Sequence, residues 1–131
     1  MFRMPIALGW SPIGPKREEG DGKTPEGTYR ICLIKEQGRY GQSLGLTYPN
    51  PADADTALQE GRINDETHAA ILTAHKEGCR PPWGSSLGGE IYIHGGGARQ
   101  DWTQGCIALE DDDMARLYLF TGQIEIVEIL P

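Results

Sequence analysis

The chain has 131 residues, of which 38% are hydrophobic, and a formal net charge of −7. This length fits one domain with a single modest core, so we expect one domain over residues 1–131. The acidic balance argues against nucleic acid as a partner, because phosphate binding needs clustered Lys and Arg. No stretch approaches the roughly 18 apolar residues of a membrane span, and none is expected.

The numbers of glycine, proline and cysteine residues indicate the fold class and the state of the thiols. The 18 glycines and 9 prolines favour a mainly β domain with many turns over a helical bundle. The three cysteines, Cys32, Cys79 and Cys106, leave at least one thiol unpaired. A disulfide framework is therefore not expected, and a reactive thiol is worth seeking.

The first half of the chain predicts short strands separated by loops. Met1–Pro5 is too short and too soon interrupted for a signal peptide. Met4–Leu8 predicts a strand, and residues 11–24 predict a long loop rich in Pro, Gly and charge. Gly27–Ile34 and Leu44–Tyr48 predict two further strands, the second of them stopped by the prolines that follow.

The second half contains the clearest helix. Asp65–Lys76 has apolar residues at helical spacing, with Asn64 or Asp65 as its cap and Gly78 as its end. Three further elements follow: a strand over Ile91–Ile93, a helix over about Asp112–Phe120, and a strand over Ile124–Ile129.

One histidine and one cysteine stand where chemistry is possible. His94 follows the strand Ile91–Ile93, and Cys106 lies 12 residues later, after Gly105 and before another apolar run. A neighbouring imidazole raises the thiolate fraction of a cysteine and can later protonate a leaving amine. The N–H groups of Gly105 and Cys106 are candidates for stabilising an oxyanion.

The residues alone leave other interpretations open. A cysteine in an apolar run can be a buried small hydrophobe, and a histidine at a strand end can simply be hydrogen-bonded. Cys79 lies near His68 and His75, but their spacing fits no standard zinc pattern. The acidic run over 110–113 lacks the spacing of a calcium loop. No metal site is expected.

Several motifs in order resemble one known family. They are His94-Gly95, Thr103-Gln104-Gly105-Cys106, the segment Gly20–Tyr29 with its Thr-Pro-Glu-Gly sequence, Tyr48-Pro49-Asn50, and Leu87–Gly95. Together they resemble the YkuD-type L,D-transpeptidase catalytic domain, most closely the branch labelled ErfK/YbiS/YcfS/YnhG or YafK-like. The likeness runs from about Ala7 to Leu119.

The resemblance implies a fold, a reaction and a place in the cell. The fold would be mainly β, a β-sandwich or mixed sheet with one or two short helices. Cys106 would be the nucleophile, His94 the base, and the Gly95 carbonyl would orient the imidazole. The substrate would be a peptidoglycan stem peptide, attacked without a cofactor at the amide before its terminal D-alanine. The periplasm or cell envelope would be the location.

The sequence departs from the family pattern beside the nucleophile. Gln104 stands where a second histidine is common, and Ala108 where Arg or Asn is common. Gln104 can donate a hydrogen bond but cannot carry a proton. Arg99 is a candidate for the missing carboxylate contact. Gln104, Arg99, Thr103 and Tyr48 are therefore the expected substrate-binding residues.

Three functions stay open at this point. The first is acyl transfer to an amine, the second is hydrolysis of the same bond by an L,D-carboxypeptidase, and the third is non-catalytic binding to the cell wall. The chain also begins inside the family pattern, which predicts a missing N-terminal strand or hairpin. An exposed edge strand left by that gap would invite pairing, so a dimer through it is possible.

Overall fold

The computed structural model describes residues 2–131, and Met1, the first residue of the predicted domain, lies outside them. The strands are β1 (Gly27–Tyr29), β2 (Ile31–Gly38), β3 (Gly41–Leu46), β4 (Tyr92–His94), β5 (Ile107–Ala108) and β6 (Val127–Ile129). The helices are α1 (Pro51–Gln59), α2 (Asp65–Lys76) and α3 (Asp111–Tyr118), followed by a short 3-10 turn over Thr121–Gln123.

The strands form two sheets. The larger has the order β2-β3-β4-β5, with β4 and β5 parallel and the other neighbours antiparallel. The smaller pairs β1 with β6 in antiparallel orientation. The predicted mixed sheet with short helices is confirmed.

The helix α1 was not predicted, which makes three helices within residues 2–131 rather than one or two. Asn50 caps it: its side chain accepts a bond from the Asp53 N–H, and the Asp53 carboxylate accepts from the Asn50 N–H. Pro51 occupies the first turn, where its lack of an N–H costs nothing. The prolines that were interpreted as the end of a strand therefore also begin a helix.

The predicted strand over Gly27–Ile34 is two strands in different sheets. The chain leaves β1 at Tyr29 and enters β2 at Ile31. β2 then continues to Gly38 and turns into β3, although its last residues are polar. Those polar residues are exposed because β2 is an edge strand of the larger sheet.

The N-terminal segment does not form the predicted strand over Met4–Leu8. It makes only isolated bridges, from Ala7 to Ala108 and from Gly9 to Thr103. Pro5 has no N–H to donate, which limits a regular ladder. A Cβ on Gly9 would lie 2.1 Å from the carbonyl oxygen of Gly22, so this segment passes very close to the 11–24 loop. It lines the side of β5 away from β4.

The core lies between the larger sheet and the helices. Its members are buried apolar residues from β3, β4, β5 and all three helices, with the aromatic rings of Tyr29 and Tyr48 among them. Because β4 ends at His94 and β5 begins just after Cys106, the core fixes both backbones at the rim of the sheet.

No helix within residues 2–131 is long and apolar enough to cross a membrane. A dimer through an exposed edge strand stays a prediction.

Candidate active site

The parallel pairing of β4 and β5 brings the predicted nucleophile and base to one face of the sheet. In this register His94 lies opposite Ala108 of β5, and Cys106 precedes Ala108 by two residues. Residues two apart along a strand project to the same side. His94 and Cys106 accordingly line the same cleft, whose volume is about 490 Å³.

The His94 ring is held in one tautomer. Its Nδ1 lies 2.5 Å from the Gly95 carbonyl oxygen, which can only accept, so Nδ1 carries the proton. Nε2 is then left with a lone pair. Burial lowers the pKa of His94, although the bond to Gly95 acts in the opposite direction. The ring is therefore neutral at physiological pH and able to accept a proton.

Two aromatic residues pack against this ring. Tyr40 stacks on His94 with the ring centroids 4.5 Å apart, and Trp102 meets it edge-on at 5.7 Å. The Trp102 indole N–H donates to the Gly97 carbonyl at 2.9 Å. A Cβ on Gly96 would lie 2.9 Å from the Trp102 ring, so the absence of a side chain at Gly96 makes room for this packing.

The Cys106 sulfur is partly exposed and is hydrogen-bonded to backbone groups. It accepts from the Tyr92 N–H at 3.3 Å and donates to the Glu90 carbonyl at 3.5 Å, rather than bonding to His94. Burial raises the pKa of the Cys106 thiol, while the Tyr92 N–H and the charge of Lys16 act to lower it. The resting pair is therefore a thiol and a neutral imidazole.

A tight turn orients the nucleophile. The Thr103 hydroxyl donates to the Cys106 carbonyl at 2.6 Å and accepts from the Gly105 N–H at 3.1 Å. Gly105 has φ +144°, and a Cβ there would lie 2.8 Å from the Lys23 carbonyl oxygen, so only glycine fits. The Cys106 N–H has no acceptor among the described residues.

The two predicted oxyanion donors, the N–H groups of Gly105 and Cys106, differ in whether they are already hydrogen-bonded. The Gly105 N–H is bonded to the Thr103 hydroxyl oxygen at rest, and its role as an oxyanion donor stays a prediction. The Cys106 N–H has no acceptor among residues 2–131 and is available to a developing negative charge without breaking a bond.

Of the four predicted substrate-binding residues, two line the cleft and two do not. Gln104 is exposed and lines the cleft, and Thr103 lines it while buried. Tyr48 is 1% exposed and donates its hydroxyl proton to the Leu87 carbonyl in the core, so its assignment to substrate is wrong. Arg99 is exposed on the surface outside the cleft lining.

Several cleft residues were missed by sequence reasoning. Lys16 is buried beside the nucleophile turn, Tyr40 stacks on the base, and Glu90 lies next to the sulfur with φ +54°. A non-glycine residue in this left-handed conformation is uncommon and clusters at functional sites. Lys16 lies in the 11–24 loop, before the Gly20–Tyr29 segment of the family resemblance, and nothing in the sequence distinguishes it from a solvated lysine.

The other two histidines, both on α2, make hydrogen-bond contacts with α1 and with the residue before its cap. His68 Nε2 lies 2.7 Å from an Asp55 carboxylate oxygen, and His75 Nε2 lies 2.7 Å from the Pro49 carbonyl oxygen. Among residues 2–131, no group of three or more His, Cys, Asp or Glu side chains is arranged to hold a metal ion.

Comparison with known proteins identifies the family. The family profile described as "YkuD: L,D-transpeptidase catalytic domain" matches residues 1–129. The chain belongs to this family. The resemblance stated from the motifs is thereby confirmed, together with the fold class.

Two solved structures are similar to this chain over most of its length. The helical cell shape determining protein Pgp2 of Campylobacter jejuni is 26% identical with a TM-score of 0.60, and its lysine-to-alanine variant is 27% identical with a TM-score of 0.62. The match covers 95% of this chain and 36% of each Pgp2 chain, so this chain spans about a third of their length.

A third solved structure is more distant. An L,D-transpeptidase from Mycobacterium smegmatis is 12% identical with a TM-score of 0.46, covering all of this chain and 49% of that one. The sequence has no significant match among curated proteins.

Proposed function

We propose that this domain is a cysteine acyltransferase that acts on peptidoglycan stem peptides, with Cys106 as nucleophile and His94 as base. The observation that carries the proposal is the shared cleft: both side chains line it, and the tautomer of His94 leaves Nε2 free to accept a proton. The family match supports the reaction class and a role in the cell envelope.

The first half-reaction follows from the resting pair. Sulfur attacks the carbonyl carbon of the stem amide while Nε2 of His94 takes the thiol proton. The carbonyl oxygen becomes negative, and the unpartnered N–H of Cys106 stabilises it. The carbon–nitrogen bond then breaks, His94 returns its proton to the departing amine, and the acyl group remains on sulfur as a thioester.

The second half-reaction regenerates the thiol. An amine or water attacks the thioester, His94 accepts its proton and passes that proton to the departing sulfur. Burial keeps the imidazole neutral before each attack, so it can act as base both times. An amine acceptor gives L,D-transpeptidation, whereas water gives L,D-carboxypeptidation.

The experiment is turnover of a synthetic stem tetrapeptide ending in D-alanine, with and without a labelled D-amino acid. Transfer is expected to place the label on the product, and hydrolysis to give an unlabelled tripeptide. Cys106→Ala is expected to abolish both products, while Cys32→Ala, a matched change at a cysteine outside the cleft, leaves them unchanged. Wild-type protein that gives neither product overturns the proposal.

A second candidate is a non-catalytic wall-binding domain. It is favoured by one observation, that the sulfur bonds to the backbone at Tyr92 and Glu90 rather than to His94. Under that candidate, Cys106→Ala retains binding to isolated peptidoglycan and the wild type shows no turnover. Turnover that depends on Cys106 excludes it.

A further inference from the structure

The cleft contains a buried cation, Lys16, to which the two half-reactions assign no role. Lys16 lines the cleft with Cys106, and only 4% of its side chain is exposed. Its ammonium lies against the nucleophile turn, because a Cβ on Gly105 would come within 3.6 Å of Lys16 Nζ. Lysine is rarely buried to this extent without a partner.

The partner of Lys16 is itself held by backbone groups. Lys16 Nζ lies 2.9 Å from Asp21, whose carboxylate also accepts the N–H groups of Arg17, Glu18 and Lys23 at 2.8, 3.1 and 3.1 Å. The carboxylate charge is thus shared among four donors. The loop fixes the ammonium in place without giving it an exclusive counter-ion.

The Lys16 ammonium has more N–H donors than its hydrogen bonds use. It carries three donors, and among residues 2–131 the only acceptor for it is Asp21. A buried donor without an acceptor is costly, so an anionic ligand entering the cleft would be stabilised there. Two other cleft cations, Lys35 and Arg39, are exposed and lie over the rings of Tyr92 and Tyr40.

The proposed substrate carries an anion at the matching place. In a terminal residue, the N–Cα and Cα–C bonds separate the carboxylate from the scissile nitrogen, so its carbon lies at most about 4 Å from the attacked carbon. A cation that recognises this carboxylate must therefore adjoin the nucleophile. Ala108 is fully buried and apolar, and Arg99 lies outside the cleft. Lys16 is the cleft cation next to the turn of Cys106.

We propose that Lys16 binds the terminal carboxylate of the donor stem and makes the enzyme selective for a free C-terminal D-amino acid. This assignment rests on the proposed function and adds a specificity-determining residue to it. Glu19 and Glu90 also line the cleft, but both are exposed, so they repel an approaching carboxylate less than buried charges would.

The test compares two peptides that differ only at the last group, one ending in D-alanine and one in D-alaninamide. The wild type is expected to prefer the free acid in kcat/KM by about tenfold to a hundredfold. Lys16→Met is expected to lose that preference, so that the acid and the amide are turned over with similar kcat/KM. Lys16→Arg, which keeps the charge, is expected to retain the preference.

A lysine of the same cleft provides the matched control. Lys35→Met removes one cleft charge, and we expect the ratio of acid to amide turnover to stay as in the wild type. The ratio also separates carboxylate binding from other roles of Lys16. Loss of thiol activation or of loop structure lowers both rates together and leaves the ratio unchanged.

The outcomes distinguish failure of the Lys16 assignment from failure of the proposed function. Equal turnover of acid and amide by the wild type, or an unchanged ratio in Lys16→Met, overturns the assignment of Lys16 alone. Absence of turnover of either peptide by folded wild type overturns the proposed function and this inference with it.

Discussion

The two walls of the cleft fix their functional groups by different physical means. On one wall, His94 is held by stacking on Tyr40, by the edge of Trp102 and by one bond to Gly95. On the other wall, Lys16 is held by an ion pair to Asp21. The first wall is largely aromatic and the second is a hydrogen-bonded loop.

The difference predicts how each wall responds to change. Aromatic packing does not depend on an ionised group, so the position of the base should persist over a wide range of pH and salt. The loop wall depends on the ionised state of a carboxylate, so it should weaken in acid. Substitutions in the aromatic wall should therefore change the rate, and substitutions in the loop wall should change how stability depends on pH.

The largest effect is expected at the aromatic wall, from His94→Gln. Glutamine has a similar size but cannot accept and return a proton, so kcat/KM on the stem tetrapeptide should fall by about 10²- to 10⁴-fold. Tyr40→Leu, which keeps the base and removes its stacking partner, should cost much less. A fall of similar size in both variants would show that packing, not proton transfer, determines the rate.

The resting protonation state gives a second readout for the same pair. Because burial raises the pKa of Cys106, its alkylation by iodoacetamide should keep accelerating as pH rises beyond the ordinary range of a thiol. His94→Gln should leave that profile nearly unchanged. A wild-type plateau at neutral pH that His94→Gln removes would instead indicate a thiolate–imidazolium pair.

At the loop wall, Asp21→Asn is expected to destabilise the fold by about 1–2 kcal/mol at pH 7, allowing for partial solvent screening. Burial acts to raise the pKa of Asp21, but bonds from Arg17, Lys16, Lys23 and Glu18 outweigh it and lower the pKa. Its contribution is therefore complete above the ordinary pKa and is lost as pH falls through the lowered value.

Urea unfolding at several pH values measures this effect. The gap between wild type and Asp21→Asn should be largest near neutrality and should close in strong acid, below about pH 4. Asp55→Asn removes a carboxylate that pairs with His68 at the surface, and its cost should stay under about 1 kcal/mol. A gap for Asp21→Asn that widens in acid would contradict the account.

The smallest effect is expected at Glu90, which adjoins the sulfur. Its φ of +54° costs an ordinary residue about 1–2 kcal/mol, whereas glycine adopts it freely. Glu90→Gly should be more stable than Glu90→Gln by about 0.5–1 kcal/mol, after the greater chain entropy of glycine is subtracted. Thermal unfolding of the two variants decides it, and a less stable glycine variant would argue against strain.

How far the sequence determines the fold differs from one element to the next. The helix α2 begins and ends as predicted, because Asn64 caps it by accepting from the Thr67 N–H. The helix α1 was missed since a proline that ends one element can begin the next. The last strand was predicted over Ile124–Ile129 but is shorter, since only Val127–Ile129 pairs with β1.

The candidate site was predictable where it depended on motifs and not where it depended on long-range contacts. The residues alone left the pairing of His94 with Cys106 open, and the ordered motifs of the family resemblance predicted it. Lys16 could not be predicted, because a lysine in a loop rich in Pro and Gly is usually solvated, and only folding joins it to Gly105. Tyr48 was misassigned because its motif order gave no information on burial.

Acylation by a carbapenem, which reacts with the nucleophilic cysteine of L,D-transpeptidases, tests the proposed pairing of Cys106 with His94. Intact mass and peptide mapping should show one adduct, located on Cys106, with none in Cys106→Ala and far slower formation in His94→Gln. An unmodified wild type, or an adduct on the exposed Cys79 instead, would contradict the assignment of Cys106 and His94 as a catalytic pair.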